Sequence, residues 1–138
     1  MTVCVLDSSA ALAWVLPNET SGSTDALLDQ VAEGGAVAPG LWPLETANAL
    51  LMAERRGRIT LAERQQALST LAELPIQIDP HTAGAAWRET LNLAASRKLT
   101  VYDASYLELA LRLSLPLASL DQALRQAATD CGVALLGT

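Results

Sequence analysis

Hydrophobic positions along the chain fall into two alternating patterns, short unbroken apolar runs and longer stretches with helical spacing. Residues 3–6 form a β-branched apolar run that ends at the polar Asp7-Ser8-Ser9, the pattern of a buried first strand. Ser9 or its neighbour is placed to cap a short helix through Leu16, which Pro17 stops. A helix is predicted over 24–33, with Leu27, Leu28 and Val31 on one face and Gly34-Gly35 as its stop. Residues 36–38 then form a short strand closed by Pro39-Gly40. Pro43 suits the first turn of a helix reaching Arg56. Thr60 and Glu63 have capping-box spacing, opening a helix whose Leu61, Leu68, Leu71 and Ala72 share one apolar face.

The alternation continues to the end of the chain. A strand is expected over 76–78, between Pro75 and Pro80. Ala83, Trp87, Leu91 and Ala94 mark an amphipathic helix, and 100–113 a helix apolar nearly all round and so largely buried. A strand over 117–120, a helix over 122–131 with Leu124, Ala127 and Ala128 inward, and a strand over 133–136 complete the pattern. Strands alternating with helices predict an α/β fold, one domain over 1–138, with a mainly parallel sheet of about five strands flanked by helices. Such sheets bind ligands beyond the carboxyl ends of their strands.

Composition narrows the function without choosing it. At 138 residues, 51% hydrophobic and 17% charged, the chain has the profile of one globular domain, able to bury roughly 70% of its unfolded surface. Cys4 and Cys131 both sit in apolar settings and read as small buried hydrophobes. No Lys or Arg precedes Asp7 and no apolar run approaches ~18 residues, so a soluble, cytoplasmic protein without signal or membrane span is expected. The net charge of −6 opposes simple electrostatic capture of nucleic acid, unless cations neutralise the site that receives the phosphates.

Fifteen residues are acidic, and most lie on polar helix faces. Four do not. Asp7 and Asp121 end apolar strands, while Glu45 and Asp103 lie in the first turns of apolar helices. Each also has a bland role, as a helix cap or as a complement to the helix dipole. Four at one sheet edge suggest a shared purpose. Gathered carboxylates repel one another unless a cation joins them, and an oxygen-only donor set suits Mg²⁺ or Mn²⁺. That combination is suited to phosphodiester hydrolysis. The single histidine, His81, sits in a turn, and no Ser-His-Asp set, phosphate loop or dinucleotide fingerprint is found.

With the acids placed, the chain resembles the PIN-domain family, and within it the VapC-type toxin ribonucleases. The resemblance spans almost the whole chain in four ordered blocks. They are VCVLDSSAALAWVLPNE with Asp7, LWPLETANALL with Glu45 and Asn48, LTVYDASYLELA with Asp103, and PLASLDQALRQAA with Ser119 and Asp121, the last followed by GVALL. The resemblance implies a Mg²⁺ or Mn²⁺ site made by Asp7, Glu45, Asp103 and Asp121. It also implies an RNA substrate, a cognate antitoxin protein as inhibitor, and a homodimer. Ser9, Asn48 and Ser119 match small polar positions beside that site, and Asn48 lies one turn beyond Glu45 on the same helix face.

Other readings remain open at this point. Arg55, Arg56 and Arg58 either line an RNA path or simply favour a helix C-terminus. Trp14, Trp42 and Trp87 read as core or dimer-contact residues, with base stacking as the alternative. Phosphoryl-aspartate enzymes also place an acid after strand one. Dehalogenase-like members need a second Asp where Ser9 stands, and receiver domains need a late Lys, whereas the sole lysine is Lys98. A non-catalytic RNA- or protein-binding scaffold of the same fold, or a housekeeping RNA-processing nuclease, are the remaining alternatives.

Overall fold

The computed structural model describes residues 2–138. Five parallel strands, β1 (Cys4–Leu6), β2 (Ala36–Ala38), β3 (Ile76–Ile78), β4 (Leu117–Ala118) and β5 (Leu135–Leu136), form one sheet in the order β3-β2-β1-β4-β5. Every pairing is parallel, with Val5 opposite Val37 on one side and Leu117 on the other. The chain winds outward from β1 to β3, then returns to lay β4 on the other side of β1. The crevice where strand order reverses therefore lies between the carboxyl ends of β1 and β4. Asp7 and Ser119 directly follow those two ends.

The helices are α1 (Ser8–Val15), α2 (Gly22–Gly34), α3 (Trp42–Arg55), α4 (Leu61–Glu73), α5 (Thr82–Ala85), α6 (Leu91–Arg97), α7 (Val101–Leu113) and α8 (Gln122–Asp130). A π-helical turn, Ala86–Thr90, joins α5 to α6. Central strand β1 is fully buried, as a strand covered on both faces must be. α7 packs on β1, and Ala104–Ala110 form its buried middle, while both its ends are exposed. Helices leaving the strands at their carboxyl ends, such as α3, begin at the same edge as the crevice. α7 runs back toward the start of β4, so its first turn lies at that edge too.

Several expectations need correction. Asp7, not Ser9, occupies the N-cap position of α1, and α2 starts earlier because Ser21 and Thr24 form a capping box. β4 is shorter than expected because the chain leaves the sheet at Ser119, where the Leu120 N–H turns to the Ser9 hydroxyl. β5 is shorter because the Val133 N–H is taken by the Ala128 carbonyl at the end of α8. In α4 only Ala67 and Leu71 are buried, while Leu61, Leu68 and Ala72 face out. Of the expected stripe of Ala83, Trp87, Leu91 and Ala94, only Ala94 is buried; within the π turn Thr90 faces inward while Trp87 faces out. Trp87 is 90% exposed and is no core residue, whereas Trp42 is buried and Trp14 half-buried. Cys4 is buried, Cys131 only partly, and both are free thiols.

Candidate active site

Asp7 is the anchor of the edge. It follows the last residue of β1 and occupies the N-cap position of α1, yet its carboxylate makes no capping bond. Instead Oδ2 accepts hydrogen bonds from the Ser9 hydroxyl at 2.6 Å and the Ser119 hydroxyl at 2.7 Å. Those hydroxyls are fixed in turn by backbone donors, Leu120 N–H to Ser9 Oγ and Asp121 N–H to Ser119 Oγ. The β1 and β4 ends are thus stitched together through one buried carboxylate. Arg125 braces the far side, donating to the Ser119 and Leu136 carbonyls.

The other three acids reach the edge from helices. Glu45 lies in the first turn of α3, half-buried, and its Oε1 accepts a hydrogen bond from the Tyr106 hydroxyl. Asp103 lies in the first turn of α7, where its N–H is capped by Thr100 Oγ1 at 3.0 Å. Asp121 is exposed and serves as a true N-cap of α8, its Oδ2 accepting the Leu124 N–H at 2.9 Å. The capping role therefore holds for Asp121 and fails for Asp7.

Electrostatics tie the four together. Burial raises the Asp7 carboxyl above its ordinary value; hydrogen bonds from Ser9, Ser119 and the Ser8 backbone oppose this, and the Asp121 charge adds to it. Burial also raises Glu45, against the Tyr106 bond, with further upward pressure from Asp7 and Asp103. Asp103 is raised by burial and then by the charges of Asp121 and Asp7. The acids therefore feel one another as unneutralised neighbours.

The donor set suits a hard divalent cation in kind, since every candidate atom is a carboxylate oxygen. In spacing the set is looser: among the described residues, no three His, Cys, Asp or Glu side chains already stand close enough to hold one ion. Mg²⁺ retains several waters, so carboxylates can hold it partly through water without such a cluster. The mutual repulsion gives a cation something to relieve. The residues fit the group by chemistry and charge.

Of the supporting residues expected from the sequence, Ser9 and Ser119 are brought onto Asp7. Asn48 is exposed on α3 and, among the described residues, forms no hydrogen bond to Glu45. His81 is exposed beside Asp79, Arg55 and Arg56 are exposed, and Arg58 pairs with Glu19 at 3.4 Å. Tyr106 and Ser8 were not singled out by sequence. Tyr106 reads as a core residue of an apolar helix, and its i+3 spacing from Asp103 was the only signal. Also unforeseen is a groove of about 800 Å³ lined by Glu89, Leu93, Glu108, Leu111 and Arg112 but by none of the four acids. The four acids lie instead around the strand-end crevice.

Residues 4–130 match the PIN domain family, and the chain belongs to that family. Within it, the chain is similar to Ribonuclease VapC3 of Pyrobaculum aerophilum, at 30% identity over 122 residues, covering 88% of this chain and 92% of the relative. Among solved structures it resembles PAE2754 from Pyrobaculum aerophilum, with a TM-score of 0.71 and 27% identity, over 97% of this chain and 83% of that one. FitAcB from Neisseria gonorrhoeae shares the fold, with a TM-score of 0.65 and 16% identity over 96% and 95% of the two chains.

Proposed function

We propose that the chain is a Mg²⁺- or Mn²⁺-dependent endoribonuclease acting as the toxin of a toxin–antitoxin pair. The observation that carries this reading is Asp7, a buried strand-end carboxylate that leaves its helix uncapped to sit between Ser9 and Ser119. Family membership and the similarity to Ribonuclease VapC3 support the choice of RNA.

Asp7, Glu45 and Asp103 would hold the cation, and Asp121 would add charge from its capping position. When bound, the ion supplies Lewis-acid chemistry, making water a nucleophile at neutral pH and offsetting charge on the scissile phosphate. The protein's own part is positional. Ser9 and Ser119 keep Asp7 in one orientation, Tyr106 holds Glu45, and the walls of β1 and α7 exclude bulk water beneath them. An antitoxin would complement the same negative edge with a basic side chain, displacing cation and substrate together.

Cleavage of RNA by purified protein tests the reading. Activity should need Mg²⁺ or Mn²⁺ and stop with chelator. Asp7→Asn should lower the rate at least ~100-fold, the scale of losing a principal electrostatic group. RNA binding without cleavage under any divalent ion would instead support the scaffold alternative.

A further inference from the structure

We propose that Tyr106 is a positioning residue for the cation site, fixing the Glu45 carboxylate of α3 to the helix that carries Asp103. The inference rests on the proposed function above.

Tyr106 is fully buried in α7, three residues after Asp103. An i, i+3 pair shares a helix face, so one rigid element presents Asp103 at the edge and the phenol one turn deeper. The Tyr106 hydroxyl reaches across to Glu45 Oε1, a contact between residues 61 apart in sequence. A buried phenol needs an acceptor, and Glu45 provides it. That requirement alone leaves the hydroxyl itself unexplained, since its neighbours Leu107, Leu109 and Ala110 are buried in the same core as hydrocarbon alone. A phenylalanine would fill the ring's place without a polar atom to desolvate.

The hydroxyl has a purpose if Glu45 must be aimed. A half-buried glutamate on the first turn of a helix has three side-chain torsions to fix, and ordering them costs entropy each time a ligand binds. A donor held by the core pays that cost during folding. Donation to one oxygen also leaves the carboxylate lone pairs for another partner, because an ionised carboxylate offers about four acceptor sites. Asp7 has a parallel arrangement in which two hydroxyls fix one carboxylate. Each of the two acids is thus aimed by hydroxyl donors rather than by a cation.

The test is a double-mutant cycle read by direct Mn²⁺ binding, with free Mn²⁺ measured by electron paramagnetic resonance, for wild type, Tyr106→Phe, Glu45→Ala and the double variant. Phe keeps the buried ring, so Tyr106→Phe should remain folded by circular dichroism. It should weaken Mn²⁺ binding about tenfold, the scale of one hydrogen bond to a charged group. In the Glu45→Ala background the same change should alter binding less than about twofold, because coupled residues are not additive. Wild-type affinity in Tyr106→Phe, with Glu45→Ala weakened, overturns the positioning role and leaves the site intact. Equal weakening by Tyr106→Phe in both backgrounds also overturns it, since the effect would then be packing. Wild-type affinity in Glu45→Ala removes Glu45 from the site, and the failure then lies with the functional reading itself.

Discussion

Two groups of carboxylates in this fold have been treated in opposite ways. Around Arg112, the buried Asp79 and Glu108 are joined by one guanidinium, with Nη2 at 2.7 Å from Asp79 Oδ2 and Nε at 2.9 Å from Glu108 Oε2. Burial alone would raise Asp79, but hydrogen bonds from Arg112, Thr82 and the His81 N–H hold it below its ordinary value. At the strand-end crevice, Asp7, Glu45 and Asp103 are all held above theirs, led by burial and reinforced by neighbouring acids. No ion pair among the described residues reaches those three. One group is complete within the chain. The other is short of a positive charge, and a cation from solution is what its chemistry can accept.

Removing the internal cation should have the largest effect. Arg112→Met leaves two buried carboxylates facing each other, and breaking such a pair costs about 3 kcal/mol of stability, the lower end of its range because Arg112 is partly exposed. Urea unfolding would measure it. Asp103→Asn, made in the crevice, should melt no lower than wild type without metal because it removes a repelling charge. A loss in Asp103→Asn equal to that in Arg112→Met would erase the contrast.

Adding a cation should move only the crevice. At 100 times its dissociation constant, an ion that binds the native state alone stabilises folding by about 2.7 kcal/mol. Thermal melts near pH 7 should therefore rise with Mn²⁺ in wild type and in a control changed at exposed Trp87. The rise should mostly vanish in Asp103→Asn. An equal rise in Asp103→Asn would put the ion elsewhere.

The contrast also explains what the sequence could and could not reveal. Strand ends announce themselves where an apolar run stops at an acid, which made Asp7 and Asp121 visible and, with them, the edge of the sheet. Asp79 follows β3 in the same way, but β3 lies at the sheet margin, two strands away from the crevice. Its partner Arg112 also pairs with Glu108 at i, i+4 on α7, but nothing local says that the guanidinium reaches Asp79, 33 residues away in sequence. Burial direction was the weaker reading. Within the π turn Thr90 is buried and Trp87 exposed, and apolar spacing in α4 gave no sign that only Ala67 and Leu71 would meet the core. The Tyr106–Glu45 bond was hidden for the same reason as the Arg112 network, since contacts across the core carry no spacing signature.

A pH series on metal-free protein should separate the two groups by sign. A carboxyl raised in the folded state binds its proton more tightly there than in the unfolded chain. Stability then falls as pH rises from the ordinary values, 3.8 for Asp and 4.5 for Glu, through the raised folded values. Asp79 is lowered, so its contribution is present above 3.8 and is lost as pH falls through the lower folded value. Partial exposure of Glu45 and Asp103 moderates the crevice effect. Asp7→Asn should flatten the decline that sets in above 3.8, as measured by urea midpoints. An unchanged slope in that variant would show that Asp7 is not held above its ordinary value.

The smallest effect should separate the two aspartates that close the apolar runs of β1 and β4 in sequence. Asp7 gives up its cap and Asp121 keeps one, although both close an apolar run and precede a helix. Replacing Asp121 with Ala leaves the Leu124 N–H without its side-chain partner and should cost about 1 kcal/mol. Asparagine keeps an oxygen able to accept that bond, so Asp121→Asn should cost only a few tenths of that. Both substitutions remove the same charge from the neighbourhood of Asp7 and Asp103. If Asp121 serves the crevice through charge, the two variants should lose Mn²⁺ affinity equally while differing in stability. If it serves only as a cap, they differ in stability and bind Mn²⁺ as wild type does. Urea unfolding paired with Mn²⁺ titration on the same two proteins measures both quantities, and equal stability of the two variants would rule out a capping role for Asp121.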